Sequence, residues 1–136
     1  HVDLREKPYV FTRKYTCHYP EELDIAEMER AAEFLLGRHD FSSFTDRKDE
    51  KGCTRRIDEI RIEKRGESLC MSFRGNGFMY HMVRILSGTL LEVGSGEKRA
   101  LDIPEILKAK SRPCAGFLAP AQGLFLKEVY YQEEKK

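Results

Sequence analysis

Arg84 is the residue whose type and setting most directly imply chemistry. It ends the run Gly75-Asn76-Gly77-Phe78-Met79-Tyr80-His81-Met82-Val83-Arg84, which leads from two glycines into a long apolar stretch. A guanidinium keeps its proton at any ordinary pH and is rarely taken out of water without a counter-charge. A carboxylate or a phosphate is therefore expected to meet it. Two more polar groups, the Tyr80 phenol and the His81 imidazole, precede it within about one helical turn. Either could move a proton, although residues of both types in such a helix are more often hydrogen-bonded packing residues.

The element that must position these groups is a helix. Its apolar period predicts a span from near Phe78 to Val93, closed by Gly94. At about 100° per residue, Phe78, Met82, Ile85, Leu86, Thr89, Leu90 and Val93 share a broad apolar side, while Gly77, Tyr80, His81, Arg84, Ser87 and Gly88 share another. The second side is polar without the Lys and Glu of a solvated face.

Around this helix the chain reads as alternating strands and helices. Residues 7–18 mix aromatic, β-branched and basic side chains, as an extended edge or arm does. Asp24 with Glu27 forms a carboxylate capping box ahead of Ile25, Met28, Ala32 and Leu35 at helical spacing, closed by Gly37. From His39 to Gly52 no period appears, and a long loop is expected. Ile57, Ile60 and Ile62, then Leu69, Met71 and Phe73, alternate about a turn at Arg65-Gly66-Glu67 and predict a hairpin. A short helix starts at Asp102 as its cap, with Pro104 in the first turn. Residues 123–131 supply a last strand, with Leu124 and Leu126 inward. The order fits an α+β fold, a mainly antiparallel sheet with helices packed on one face. The expected organisation is a basic extended arm at 1–18, one domain at 19–131 and a charged tail at 132–136.

Composition narrows the function classes. The 136 residues are 40% hydrophobic and 35% charged, enough for one domain with a core. With 24 Lys and Arg against 23 Asp and Glu, the chain as a whole is no polycation, and any nucleic-acid contact must come from a local patch. No apolar run reaches the roughly 18 residues that span a bilayer, and residues 1–5 do not read as a signal peptide, so a cytoplasmic protein without a membrane partner is expected. Cys17, Cys53, Cys70 and Cys114 stand singly, without the paired spacing of structural zinc sites; reduced thiols and no metal are expected. The chain begins at His1, which suggests a domain of a longer protein.

From Tyr15 to Tyr131 the sequence resembles the C-terminal part of the TruA family of tRNA pseudouridine synthases. The matching pieces run in family order: Tyr19-Pro20 with Leu23-Asp24; His39-Asp40-Phe41-Ser42-Ser43-Phe44; Arg55-Arg56-Ile57; and Gly77 to Arg84. Then come Gly88-Thr89-Leu90-Leu91-Glu92-Val93-Gly94-Ser95-Gly96 and Ala115-Gly116-Phe117-Leu118-Ala119-Pro120-Ala121-Gln122-Gly123-Leu124-Phe125-Leu126. Their joint order makes the match specific.

The resemblance implies isomerisation of uridine to pseudouridine in the anticodon stem-loop of tRNA, without organic cofactor or metal, by a homodimer. The family's catalytic aspartate belongs to an Arg-Thr-Asp-type motif that this chain lacks, so the chain alone is expected to be inactive. Asp46 follows Phe44-Thr45 in the wrong order and without the following glycine, and is not that residue. In this family the arginine ending the Gly-Phe-Met-Tyr-His-Met-Val-Arg motif pairs with the catalytic aspartate, which assigns that role to Arg84. Leu124 is a candidate wall of the uracil pocket. Tyr80, Phe41 and Phe44 are candidate stacking surfaces for a flipped base, and Tyr9 loosely matches an active-site tyrosine. Arg13, Lys14, Arg55 and Arg56, with Arg38, Arg47 and Lys48, are candidate phosphate contacts. The alternative is a non-catalytic RNA-binding or dimerisation module.

Overall fold

The computed structural model describes residues 2–3, 17–18, 22–65 and 68–119. Its framework is an antiparallel sheet of β3 (Gly37–Asp40), β4 (Thr54–Arg65) and β5 (Ser68–Gly75). Two short strands extend it, β1 (Val2–Asp3) antiparallel to β5 and β2 (Cys17–His18) parallel to β1, giving the order β2-β1-β5-β4-β3. Three helices complete the α+β fold: α1 (Ile25–Leu35), α2 (Met82–Ser95) and α3 (Asp102–Ala109). The expected strand at 123–131, the tail at 132–136 and most of the arm at 1–18 lie outside the described residues.

The β4–β5 register sorts the hairpin into two faces. Ile60 faces Phe73, Ile62 faces Met71 and Lys64 faces Leu69, so the apolar members of both strands share one side. Asp58 is an extra residue between the Ile57–Gly75 and Glu59–Arg74 pairs. This bulge shifts the alternation by one and returns Ile57, 1% exposed, to the apolar face. The other face is charged, with Arg74 Nη2 3.3 Å from Glu59 and Arg61 Nη2 3.0 Å from the same carboxylate.

Helix α1 starts as its capping box implies, with Asp24 Oδ1 accepting from the Glu27 amide at 3.1 Å. It buries Met28, Ala31, Ala32 and Leu35 and packs against β4 and α2. Gly37, at φ 91°, then turns the chain into β3. Helix α2 buries Met82, Ile85, Leu86, Thr89, Leu90 and Val93, the side expected of it, while Phe78 is 38% exposed.

Four expectations are corrected. Helix α2 begins at Met82, not near Phe78, because His81 adopts φ 63°, a left-handed conformation that a helix cannot continue through. It ends at Ser95, and Gly96, at φ 94°, is the cap in place of Gly94. Asp102 lies inside α3 and caps the preceding turn, accepting from the Arg99 amide at 2.8 Å. The expected loop at 39–52 contains structure: His39 and Asp40 pair with Arg55 and Thr54 in β3, and Ser42–Phe44 form a 3-10 turn.

That turn is tied at both ends. The buried Ser43 hydroxyl donates to the Ile106 carbonyl at 2.6 Å and accepts from the Ser111 amide at 2.8 Å, fastening the turn to α3 and the residues after it. Asp40 Oδ1 accepts from the Ser42 hydroxyl and, at 2.9 Å, from its amide. These bonds, the hydroxyl's foremost, with Lys110 and Lys48 nearby, hold the Asp40 carboxyl below its ordinary value. A carboxylate whose folded value is depressed stabilises the fold above its unfolded value, and loses that contribution as pH falls through the folded one. Denaturation midpoints of the protein are therefore expected to drop as the pH is lowered from about 5 to below 3.8, and to drop less steeply in Asp40→Asn. Equal slopes would remove Asp40 from the acid response.

Candidate active site

Arg84 is the third residue of α2 and partly buried. This position matters electrostatically. The first turn of a helix exposes unpaired amides and the positive end of the macrodipole, so a cation here is disfavoured unless an anion joins it. Among the described residues the Arg84 side chain makes one hydrogen bond, from Nε to the Ala119 carbonyl at 2.6 Å. No carboxylate among the described residues pairs with it, and none of them engages the two Nη groups at the end of its fork.

The Ala119 carbonyl reaches Arg84 because residues 116–119 run directly along α2. The Ala119 amide donates to the Arg84 carbonyl at 3.2 Å, the Phe117 amide to Glu92 Oε2 at 3.1 Å and the Gly116 amide to Thr89 Oγ1 at 2.8 Å. Such an approach excludes side chains at two positions. A Cβ on Gly88 would stand 1.8 Å from the Phe117 carbonyl oxygen, and one on Gly116 would stand 2.6 Å from Thr89 Cα.

The residues leading into α2 form a second layer. Thr45 Oγ1 donates to the Tyr80 carbonyl at 2.8 Å. Tyr80, 46% exposed, stacks on His81 with 3.8 Å between ring centroids, and the Arg47 guanidinium lies 4.3 Å from the Tyr80 centroid. With one ring face covered by the imidazole, the guanidinium occupies the other. A base that stacks on Tyr80 must displace one of them. His81 Nδ1 is 2.7 Å from Asp46 Oδ2, and Arg112 Nε donates to Asp46 Oδ1 at 2.8 Å. The bond to His81 foremost, then that to Arg112, holds the Asp46 carboxyl below the usual range. These contacts support a left-handed His81, a conformation that costs an L-residue about 1–2 kcal/mol.

The other residues singled out in the sequence are distributed unevenly. Phe41 and Phe44, expected as stacking surfaces, are 0% exposed and pack edge to face at 6.1 Å in the core; they offer no face to a base, and that expectation is corrected. Arg55 borders the residues that lead into α2, its Nε 3.8 Å from where a Cβ on Gly77 would sit. Arg55 is paired with Asp49 at 2.7 Å and Arg56 with Asp58 at 2.7 Å, so each faces a carboxylate where a phosphate contact was expected. Tyr9, Leu124, Arg13 and Lys14 lie outside the described residues. Sequence reasoning did not find Arg112 and Ala119, which have no local signal. Asp46 was considered as the catalytic aspartate and set aside, and its bonds to His81 and Arg112 had no local signal.

Arg84 thus sets a cation at a helix N-terminus with its fork open among the described residues, and comparison with known proteins identifies the class. The model of the tRNA pseudouridine synthase family matches residues 31–132, and the chain belongs to that family. It is 47% identical over 123 residues to tRNA pseudouridine synthase A of Bacillus pumilus, covering 90% of this chain and 50% of that protein. It is 49% identical over 116 residues to tRNA pseudouridine synthase A of Halalkalibacterium halodurans, covering 85% and 44%. The protein of the same name from Acetivibrio thermocellus is 43% identical over 125 residues, covering 91% and 51%. The chain thus spans about half the length of the curated relatives it matches. No helix among the described residues is long and apolar enough to cross a membrane.

The close contact beneath the site has a direct test. Gly88→Ala is expected to lift residues 116–119 from α2, because the obstructing atom is backbone and cannot rotate away. Denaturant unfolding should show a loss of about 1–3 kcal/mol, as overpacked cores do. An unchanged midpoint would mean that the segment moves freely.

Proposed function

We propose that this chain is the C-terminal half of a tRNA pseudouridine synthase, and that Arg84 pairs with a catalytic aspartate supplied by the other half. The single observation behind this reading is the open fork of Arg84 at the positive end of α2, a setting that calls for an anion from outside the described residues. A carboxylate gripped by both Nη groups would be oriented and kept ionised, the state needed for nucleophilic attack on the target nucleotide.

The reaction is the isomerisation of uridine in the anticodon stem-loop of tRNA. The bond between C1′ and N1 breaks, C1′ is rejoined to C5, the C5 proton leaves to solvent and N1 gains one. No electrons are gained or lost overall, so the chemistry calls for no redox cofactor and the work falls to positioning and charge. The uracil must leave the base stack, and Tyr80, with Leu124 and Tyr9, is assigned to receive it. Arg47, Arg55 and Arg56, with Arg13 and Lys14, would steer the phosphates, each paired arginine first exchanging its carboxylate. The working protein is a cytoplasmic homodimer in this reading.

Two measurements test the proposal. Tritium release from C5-labelled tRNA is expected from the intact protein and absent from this chain alone; turnover by the chain alone would overturn the half-site assignment. In the intact protein, Arg84→Lys should lower kcat by about a hundredfold, the scale of a small displacement of a catalytic group, with tRNA affinity much less affected. An unchanged kcat would return Arg84 to a purely structural role.

A further inference from the structure

The geometry points to Asp46 as a positioning residue for Arg84, acting through two arms that close into a ring. One arm runs from Asp46 Oδ2 to His81 Nδ1 at 2.7 Å. His81 immediately precedes α2, and its carbonyl accepts from the Ile85 amide at 2.9 Å, so its orientation sets the first turn that carries Arg84. The other arm runs from Asp46 Oδ1 to Arg112 Nε at 2.8 Å, and from Arg112 Nη1 to the Gly116 carbonyl at 2.8 Å. Gly116 opens the segment that ends at Ala119, whose carbonyl holds Arg84 Nε at 2.6 Å. Both the helix turn that bears Arg84 and the carbonyl that grips it are thereby referred to one carboxylate.

Three features single out Asp46 within this ring. It comes from a different part of the chain, 35 residues before His81 and 66 before Arg112, so neither arm can form by local folding. It uses both oxygens, one per arm. The αL backbone of His81 gives the ring a strained member that relaxes when unsupported. Asp46 does not touch Arg84; its influence passes through His81 and Arg112.

The consequence for turnover rests on the reading of Arg84 given above, and the test separates the two. In the intact protein, Asp46→Ala and the closer Asp46→Asn are expected to lower kcat for tritium release by about tenfold, with KM for tRNA within about twofold, as for a catalytic group moved by less than an ångström. In an Arg84→Ala background, Asp46→Ala should cost no further activity, because the residue it positions is gone. A geometric readout needs no turnover: the Arg84 Nε–H resonance in a nitrogen-15 NMR spectrum should exchange with solvent about tenfold faster in Asp46→Asn. The Leu90 amide in the middle of α2 should keep its protection, which reports an intact fold. An unchanged kcat, an equal loss in the Arg84→Ala background, or an unaltered Nε–H exchange each overturns the proposal. Should the unmodified protein form no pseudouridine, the proposed function fails, while the Nε–H exchange still decides whether Asp46 positions Arg84.

Discussion

The absence of two Cβ atoms governs the geometry of the site. Gly88 on α2 and Gly116 opposite it allow backbone to lie on backbone, which no other residue pair would permit at these distances. An irregular segment is thereby held at a helix by the amides of Gly116, Phe117 and Ala119, while Phe117 and Leu118 pack against the core. The carbonyl that meets Arg84 is consequently a fixed backbone dipole, with no rotamer of its own to order. Helix α2 itself is held by its apolar side against α1 and the core, so the site inherits its stability from packing that takes no part in its chemistry.

Charge around the start of α2 is divided with economy. One carboxylate, Asp46, serves the His81 imidazole and the Arg112 guanidinium, while the guanidinium of Arg84 is met by a carbonyl. A carbonyl dipole orients a cation without neutralising it. The first turn of the helix therefore keeps its positive character, the property on which the proposed pairing with an anion rests.

Much of the fold was legible because it rests on local patterns. The alternation of Ile60 and Ile62 with Met71 and Phe73 marked the hairpin, and Asp24 with Glu27 marked the start of α1 within one residue. Strand β3 was not legible: Gly-Arg-His-Asp shows no alternation, and its extended form comes from pairing with β4. The residues from Phe78 to His81 continue a helical period, yet tertiary bonds from Thr45 and Asp46 hold them out of the helix. Arg84 stood out because a lone cation in an apolar run is chemically conspicuous. Phe41 and Phe44 did not declare their burial, since aromatic residues in an aperiodic stretch look alike whether they face core or solvent.

Under the proposed function, the pairing of Arg55 with Asp49 and of Arg56 with Asp58 makes phosphate recognition at this surface a competition. A phosphate that takes either guanidinium gains only the difference between two ion pairs, and it sets a carboxylate free beside itself. Loosely placed polyanions gain little from such an exchange, whereas a rigid strand whose phosphates fall on several guanidinium groups at once collects several small differences. In that reading, built-in counter-charges of this kind would turn a basic surface from an adhesive into a gauge of shape.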